Sequence, residues 1–345
     1  MGASLRDVAR LAGVSVKTVS NVVNGYAHVS PATRAKVEHA LSQLDYRPNL
    51  SARNLRQGRT GVIALALPEL DAPYFAELSR FIIDAAAAVG WLVIIEQTGG
   101  SLDRERQVLD GVRRHRVDGL ILSPIAIGAD ELAARTDDTA LVLLGERIHG
   151  GPADHVAVDN VRAARDVTEH LIELGRRRIA ALGAQDNSIS GTAPPRLAGY
   201  RESLAAHALP ETVAKVERYR RTEGAAAMAA LLESRPDAVF CFNDLLALGA
   251  MRTILAAGLR IPEDIAVAGF DDIEDGRFST PTLTTVAPDK GQLAGIAVDL
   301  LKQRIEGRTD RPPREVHATY RLMTRESTLG GHAADEAAGP ALKRP

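Results

Sequence analysis

The stretch "SLRDVARLAGVSVKTVSNVVNGYAHVSPATRAKVEHALSQL" (4–44) predicts three short helices joined by tight turns. Ser4, Ser15 and Ser30 can each cap a helix, because a serine hydroxyl accepts a hydrogen bond from the first-turn amides. Gly13 is suited to end the first helix in a left-handed conformation. Two helices separated by the short "AGV" turn, with a third packed behind them, are typical of a helix-turn-helix. We therefore expect an all-α head at this end of the chain.

The second predicted helix carries the side chains that would read DNA, because this helix lies in the major groove in a helix-turn-helix. Lys17 can donate to guanine, Asn21 can pair with adenine, and Val16 can contact a thymine methyl group. Helix capping is an equal alternative for Ser15 and Thr18, and a solvated helix face is the alternative for Lys17 and Asn21. The predicted DNA-binding residues of the head are Ser15, Val16, Lys17, Thr18 and Asn21.

The composition indicates a basic module attached to an acidic body. The first 60 residues hold nine Lys or Arg and three Asp or Glu, a net charge of +6, whereas the remainder carries −8. Such asymmetry is typical of a nucleic-acid-binding module joined to a domain with another task. One cysteine, Cys241, excludes disulfides and multi-cysteine metal sites. The N-terminus has no signal core and no apolar run is long enough to span a membrane, so we expect a cytoplasmic protein.

The rest of the chain alternates short apolar runs with alanine-rich helical stretches. This alternation predicts parallel sheets covered by helices, and so many strands favour two similar α/β lobes. We expect these strands to be buried on both faces. The predicted strands are residues 62–67, 91–95, 118–122, 140–144, 155–158, 178–182, 237–242 and 264–270.

The motifs along the chain, taken in order, resemble the LacI/GalR family of bacterial transcriptional repressors. Besides the head, they are "PYFAEL" (73–78), "VDGLIL" (117–122), "RLAGY" (196–200), "FNDLLALGAM" (242–251) and "IPEDIAVAGFDD" (261–272). The resemblance implies a helix-turn-helix head and an α/β core of two Rossmann-like lobes of the periplasmic-binding-protein type. The family usually has arginine in place of Asn21, so the preferred operator should differ at that base pair.

The resemblance also implies where the domains begin and end. The head is expected at 1–47, a hinge helix and linker at 48–60, and the effector-binding and dimerisation core at 61–329. Within the core, lobe 1 is expected at about 61–158 and 289–316, and lobe 2 at about 159–288 and 317–329. Residues 330–345 lack apolar periodicity, which predicts a disordered tail.

The hinge sequence "NLSARNLR" (49–56) is too short to be a stable helix by itself in water. In the family the leucine that matches Leu55 wedges into the central base step from the minor groove. Ala52 is then expected to face the partner hinge, and Arg53 and Arg56 the phosphates. The alternative is that Leu55 packs on its own core.

Six further residues match the family's effector cleft. A guanidinium and an amide that donate, with a carboxylate that accepts, beside aromatic rings, suit a polyhydroxylated ligand. The structural alternatives to effector binding are a core position for Phe75, a helix cap for Asn243 and a surface ion pair for Arg196. Ala72 replaces the asparagine that many relatives have, so a purine or other metabolite stays an alternative to a sugar. The predicted effector residues are Tyr74, Phe75, Asp159, Arg196, Asn243 and Asp271.

The sequence contains no Walker loop, nucleophile elbow or zinc-protease motif, so we expect a protein that is not an enzyme and has no cofactor or metal. The resemblance implies a homodimeric repressor on a pseudo-palindromic operator, nucleoid-associated when bound to DNA and controlled by an effector in the cleft. A corepressor-dependent regulator is the alternative, and a sugar-binding protein without a regulatory role is a weaker one. The lactose repressor's C-terminal heptad helix is absent, so we expect a dimer rather than a tetramer.

Overall fold

The computed structural model describes residues 3–23, 26, 28–46, 59–114, 117–148, 150–185, 191–307 and 311–330. The chain divides into two compact units, residues 1–61 and 62–345. The predicted hinge residues Ala52, Arg53, Leu55 and Arg56 and nearly all of the predicted tail lie outside the described residues.

The described part of the first unit contains three helices: α1 (Leu5–Ala12), α2 (Val16–Val23) and α3 (Pro31–Gln43). Ser4 and Asp7 form a capping box at the start of α1, and Gly13 ends it with φ of 65°. Ser30 caps α3 by accepting from the amide of Thr33. Apolar side chains from all three helices form one small core: Val8, Ala9, Val19, Val22, Val37 and Ala40. The predicted helical head is therefore confirmed.

Among its described residues, the second unit contains two six-stranded sheets flanked by helices. Its strands are β1 (Val62–Leu67), β2 (Leu92–Gln97), β3 (Gly119–Leu122), β4 (Ala140–Leu144), β5 (Asp154–Val158), β6 (Ile179–Ala184), β7 (Thr212–Lys215), β8 (Ala238–Cys241), β9 (Ala266–Phe270), β10 (Thr284–Pro288), β11 (Glu315–Ala318) and β12 (Tyr320–Met323). Its helices are α4 (Pro73–Ala88), α5 (Leu102–Arg114), α6 (Ala129–Ala133), α7 (Asn160–Glu173), α8 (Ala193–Ala206), α9 (Arg221–Leu231), α10 (Asp244–Ala256), α11 (Glu274–Arg277), α12 (Lys290–Ile305) and α13 (Glu326–Leu329), with a 3-10 turn at Leu232–Ser234.

The sheet of lobe 1 has the order β11-β5-β4-β3-β1-β2, and all its strands are parallel. Leu65 of its strand β1 lies opposite both Ile95 and Ile121. The sheet of lobe 2 has the order β12-β10-β9-β8-β6-β7 and is parallel except for the antiparallel edge pair β10 and β12. Two parallel α/β sheets after a helical head confirm the predicted fold class.

The chain crosses between the lobes more than once. It leaves lobe 1 after β5, because α7 packs in the core of lobe 2. It returns after β10, since α12 packs against the lobe 1 sheet. Strand β11 then joins the lobe 1 sheet and the next strand, β12, joins that of lobe 2.

Strand β2 contradicts the expectation that every predicted strand is buried on both faces. It lies at the edge of its sheet, where Leu92 is 66% exposed and Ile94 is 42% exposed. An apolar run indicates a strand, but it does not distinguish an edge strand from a central one.

Four strands have no counterpart among the predictions: β7, β10, β11 and β12. Three of them are edge strands, and their mixed polar sequences lack the apolar runs of the centre. Strand β10 is central yet contains Thr284 and Thr285, both fully buried. Hydrogen bonds explain this burial, because the Thr285 hydroxyl donates to Asp244 at 2.6 Å and that of Thr284 pairs with Thr328 at 2.7 Å.

Candidate functional site

The exposed face of α2 is the candidate DNA-reading surface of the head. Ser15, Val16 and Lys17 are exposed and Asn21 is partly exposed, while the valines of the opposite face are buried. Ser15 Oγ accepts from the Thr18 amide at 3.0 Å and lies 2.8 Å from Thr18 Oγ1. Ser15 therefore caps α2 and the Thr18 hydroxyl is bonded to it, while Val16, Lys17 and Asn21 remain candidate base-reading side chains.

Arg196 is the centre of the candidate cleft in the second unit. It lies on α8, is only 6% exposed, and stacks 3.5 Å from the centroid of the Phe270 ring. Its Nε donates to Asn160 Oδ1 at 2.7 Å, and its Nη1 donates to the backbone carbonyl of Phe242. These contacts fix the guanidinium plane and direct its remaining Nη2 edge toward Asp271, whose Oδ1 is 4.0 Å away.

Asp271 follows strand β9 and carries the carboxylate of the cleft. It is 8% exposed and has a φ of 115°, a conformation that costs free energy for a residue with a side chain. Its amide donates to Val286 at 2.8 Å, which holds this backbone in place. Burial raises the pKa of Asp271 to about 6, and the positive charges of Arg196 and Lys290 partly oppose that rise.

Tyr74 is a lobe 1 residue that interacts electrostatically with Arg196 and Asp271. It lies in the first turn of α4, where burial raises the pKa of its phenol and the carboxylate of Asp271 raises it further. Arg196 and Glu146 also act electrostatically on this phenol. Tyr74, from lobe 1, therefore lies within electrostatic range of Arg196 and Asp271, from lobe 2.

Three of the predicted effector residues have structural roles that need no ligand. Asp159 caps α7 by accepting from the Arg162 amide at 2.9 Å, and Asn243 caps α10 by accepting from the Leu246 amide at 2.9 Å. Phe75 packs against the core of lobe 1 and meets Tyr74 edge-on at 5.3 Å. Because the side-chain oxygen of Asn243 is used in this cap, its amide nitrogen is the group that can donate to a ligand.

Sequence reasoning missed four residues of this region. Asn160 orients Arg196, and its only signal was its place in the motif "VDN". Tyr219 donates to the Gly183 carbonyl at 3.1 Å, and burial raises its pKa to about 12, with Arg196 opposing the rise. Glu146 and Lys290 act on Tyr74 and Asp271. No local pattern marks these last three, because packing of distant segments brings them here.

The described residues contain neither a candidate metal site nor a candidate membrane span. No group of three or more His, Cys, Asp and Glu side chains there is arranged to hold a metal ion. No helix of that part of the chain has the length and apolar character needed to cross a bilayer.

Both units match known protein families. Residues 4–49 match the model of bacterial regulatory proteins of the lacI family, and residues 168–328 match that of a periplasmic binding protein-like domain. The HTH-type transcriptional regulator CelR of Thermobifida fusca is 36% identical over 339 residues, which cover 94% of this chain and 98% of that protein.

Two solved structures extend the comparison over nearly the whole chain. A complex of the transcriptional regulator CelR with cellobiose is 32% identical with a TM-score of 0.69, covering 94% of this chain and 99% of that one. The lac repressor dimer bound to operator and the anti-inducer ONPF is 30% identical with a TM-score of 0.75, covering 95% and 99%.

Proposed function

Since the chain belongs to the LacI family of bacterial regulatory proteins, we propose that it is a repressor whose operator binding is controlled by a sugar in the cleft between its lobes. The observation that carries the proposal is the buried pair of Arg196 and Asp271 beside the rings of Phe270 and Tyr74. A carboxylate that accepts and a guanidinium that donates match the hydroxyls of a sugar, and the partly exposed ring of Tyr74 suits its apolar face, while the buried Phe270 packs against Arg196.

The relatives support both halves of this proposal. One solved relative holds cellobiose, and another is a dimer bound to operator DNA. By analogy the chain acts as a homodimer in the bacterial cytoplasm. The two heads of the dimer bind the two half-sites of a pseudo-palindromic operator. Its cleft binds rather than catalyses, in keeping with relatives that are regulators.

The head and hinge supply the DNA contacts in this proposal. Val16, Lys17 and Asn21 meet base edges in the major groove. The hinge helix at 48–60 forms on DNA, where Ala52 faces the partner, Arg53 and Arg56 neutralise phosphates, and Leu55 enters the minor groove.

The test begins with an operator selected from random duplexes by the full-length chain. Binding of that duplex is then measured by fluorescence anisotropy with and without cellobiose, with other mono- and disaccharides, and with adenine and guanine. We expect one sugar to weaken operator binding by a factor of about 5–150. Tighter binding with a purine would instead support the corepressor alternative, and no response to any of these compounds would contradict effector control.

A matched pair of variants tests the reading helix. Replacing Lys17 with alanine should weaken binding to the selected operator, whereas Lys36→Ala on α3, another exposed lysine of the head, should have a smaller effect. An equal loss from both variants would mean that Lys17 contributes charge alone and reads no base.

A further inference from the structure

The segment that follows Asp271 is held from lobe 1 by an ion pair between a buried lysine and a partly exposed glutamate. Lys290 is the first residue of α12, directly after the chain has crossed from strand β10, and it is 6% exposed. Its Nζ donates to Glu77 Oε2 at 2.6 Å and to the backbone carbonyl of Asp272 at 3.2 Å. One ammonium thus bonds a lobe 1 carboxylate and the lobe 2 residue next to Asp271.

Glu77 also accepts a hydrogen bond directly from the same lobe 2 segment. Its other oxygen, Oε1, accepts from the backbone amide of Glu274 at 3.4 Å. Glu77 lies on α4, three residues after Tyr74, so the helix that presents the cleft tyrosine also carries this carboxylate. We call the ion pair of Glu77 and Lys290, with its bonds to residues 272–274, the lobe clamp.

The clamped segment is rigid enough to transmit a displacement of Asp271. Asp272 is also left-handed, with φ of 48°, and its carboxylate binds Arg325 at 2.6 Å and Arg277 at 2.8 Å. Its amide points to Thr285 Oγ1 at 3.4 Å. With its side chain, amide and carbonyl all bonded, Asp272 cannot absorb a change at Asp271 by local rotation.

The charges of the clamp also act directly on Asp271. Lys290 stabilises the Asp271 carboxylate and Glu77 destabilises it. A change in the charge of Asp271 therefore changes the electrostatic attraction between Asp271 and Lys290. Because a buried charge that loses its partner is strongly unfavourable, Lys290 and Glu77 respond together.

We propose that the lobe clamp is a positioning relay through which the state of Asp271 is transmitted to helix α4. Glu77 and Lys290 touch no ligand in this proposal; they act through Asp272 and Glu274. The relay rests on the proposed function only in assigning Asp271 to the effector, since the coupling itself is a property of the chain without ligand.

Hydrogen exchange of the full-length chain, followed by mass spectrometry, tests the relay without an effector. Asp271→Asn removes the charge at the cleft end. We expect it to change the exchange rates of α4 amides about threefold or more. In a Lys290→Met background the same Asp271→Asn change should leave α4 unaltered, because the connection is cut.

Two controls separate a relay from general loosening. Arg80→Met removes an exposed cation from the same helix, where Arg80 lies 3.9 Å from Asp84, and it should preserve the response of α4 to Asp271→Asn. Glu77→Gln removes the charge at the lobe 1 end of the clamp but leaves Lys290 the Asp272 carbonyl and an amide oxygen as acceptors, so it should weaken the relay and serves if Lys290→Met fails to fold.

An α4 response that persists in both clamp variants would overturn the proposal, as would the absence of any response in the intact clamp. Failure of cellobiose and all other sugars to bind would count against the proposed function alone, because the exchange experiment contains no ligand.

Discussion

Arg196 and Asp271 are the residue pair on which the proposed effector site depends. Both stand in motifs that the sequence makes visible, "RLAGY" and "GFDD". The structure adds why they are suited to binding: Arg196 is fixed by Asn160, Phe242 and Phe270, so its guanidinium is oriented before a ligand arrives. Preorganisation of this kind lowers the entropy that binding costs.

Sugar affinity should fall in acid because of Asp271. Burial raises its pKa from 3.8 to about 6, and the protonated carboxyl accepts hydroxyl donors less well. We expect the Kd of the sugar found to weaken operator binding, measured by calorimetry, to rise as the pH falls below about 6. Asp271→Asn should weaken binding about 10- to 100-fold and remove this pH dependence.

The control is Asp264→Asn, which alters an exposed ion pair with Arg260 and should leave the Kd unchanged. A pH profile of Asp271→Asn identical to that of the unmodified chain would contradict the assignment.

The effect of Asp271 on folding stability changes with pH in the opposite direction to its effect on sugar affinity. Between about pH 4 and 6 the folded chain keeps the Asp271 proton while the unfolded chain releases it. The contribution of this carboxyl to stability therefore decreases as the pH rises through that range.

At the scale of elements, glycine lets two helix pairs of lobe 2 approach closely. A Cβ at Gly249 of α10 would lie 2.0 Å from the Arg221 carbonyl, and one at Gly224 of α9 would lie 2.3 Å from that of Leu246. At Gly199 of α8 it would lie 2.0 Å from the Val161 carbonyl of α7. The sequence shows glycines within helical patterns, but only the packed structure distinguishes these from a glycine in open space.

Gly249→Ala and Gly295→Ala should therefore have opposite effects. The first forces α9 and α10 apart and should lower the free energy of unfolding by about 1–3 kcal/mol or more. Gly295 of α12 has no atom within 4 Å of its would-be Cβ, so alanine there should stabilise by about 1 kcal/mol through helix propensity. Urea unfolding followed by circular dichroism measures both, and equal effects would refute the packing argument.

A buried carboxylate joins three separate elements of lobe 1. Asp154 begins β5, has no exposed surface, and binds Arg304 of α12 at 2.8 Å and the Arg314 amide before β11 at 2.8 Å. Burial opposes its ionisation, but the hydrogen bonds from Arg304 and Arg314 outweigh burial and lower its pKa. Its contribution to stability is thus present at neutral pH and is lost as the pH falls through that lowered pKa.

Replacing Asp154 with alanine should cost about 3–5 kcal/mol of unfolding free energy, because it removes the buried carboxylate that neutralises the guanidinium groups of Arg304 and Arg314. Glu211→Gln breaks the exposed pair with Arg201 and should cost less than about 1 kcal/mol. Urea denaturation of the two variants compares them directly, and a loss below about 1 kcal/mol for Asp154→Ala would show that the cluster is dispensable.

For the whole molecule, the uneven charge and the predicted hinge each predict a property of operator binding. The head region carries +6 against −8 elsewhere, so operator affinity should fall steeply with salt. Leu55→Ala should weaken operator binding, because the proposed apolar wedge would stabilise the bent duplex, and should leave the Kd of the effector sugar unchanged. Anisotropy and calorimetry on the same preparation decide this, and a parallel loss of both affinities would make Leu55 a core residue.

The sequence by itself determined the helical head, the order of most strands and helices, and the motif positions of Arg196 and Asp271. These follow from local signals, since caps such as Ser4 and Ser30 and apolar periodicity act within a few residues. Only the tertiary structure decided that β2 is an exposed edge, that β11 and β12 complete different sheets, and that Lys290 reaches Asp272. Burial, ion pairing and a raised pKa arise where residues far apart in the chain displace water together, and no local pattern encodes that meeting.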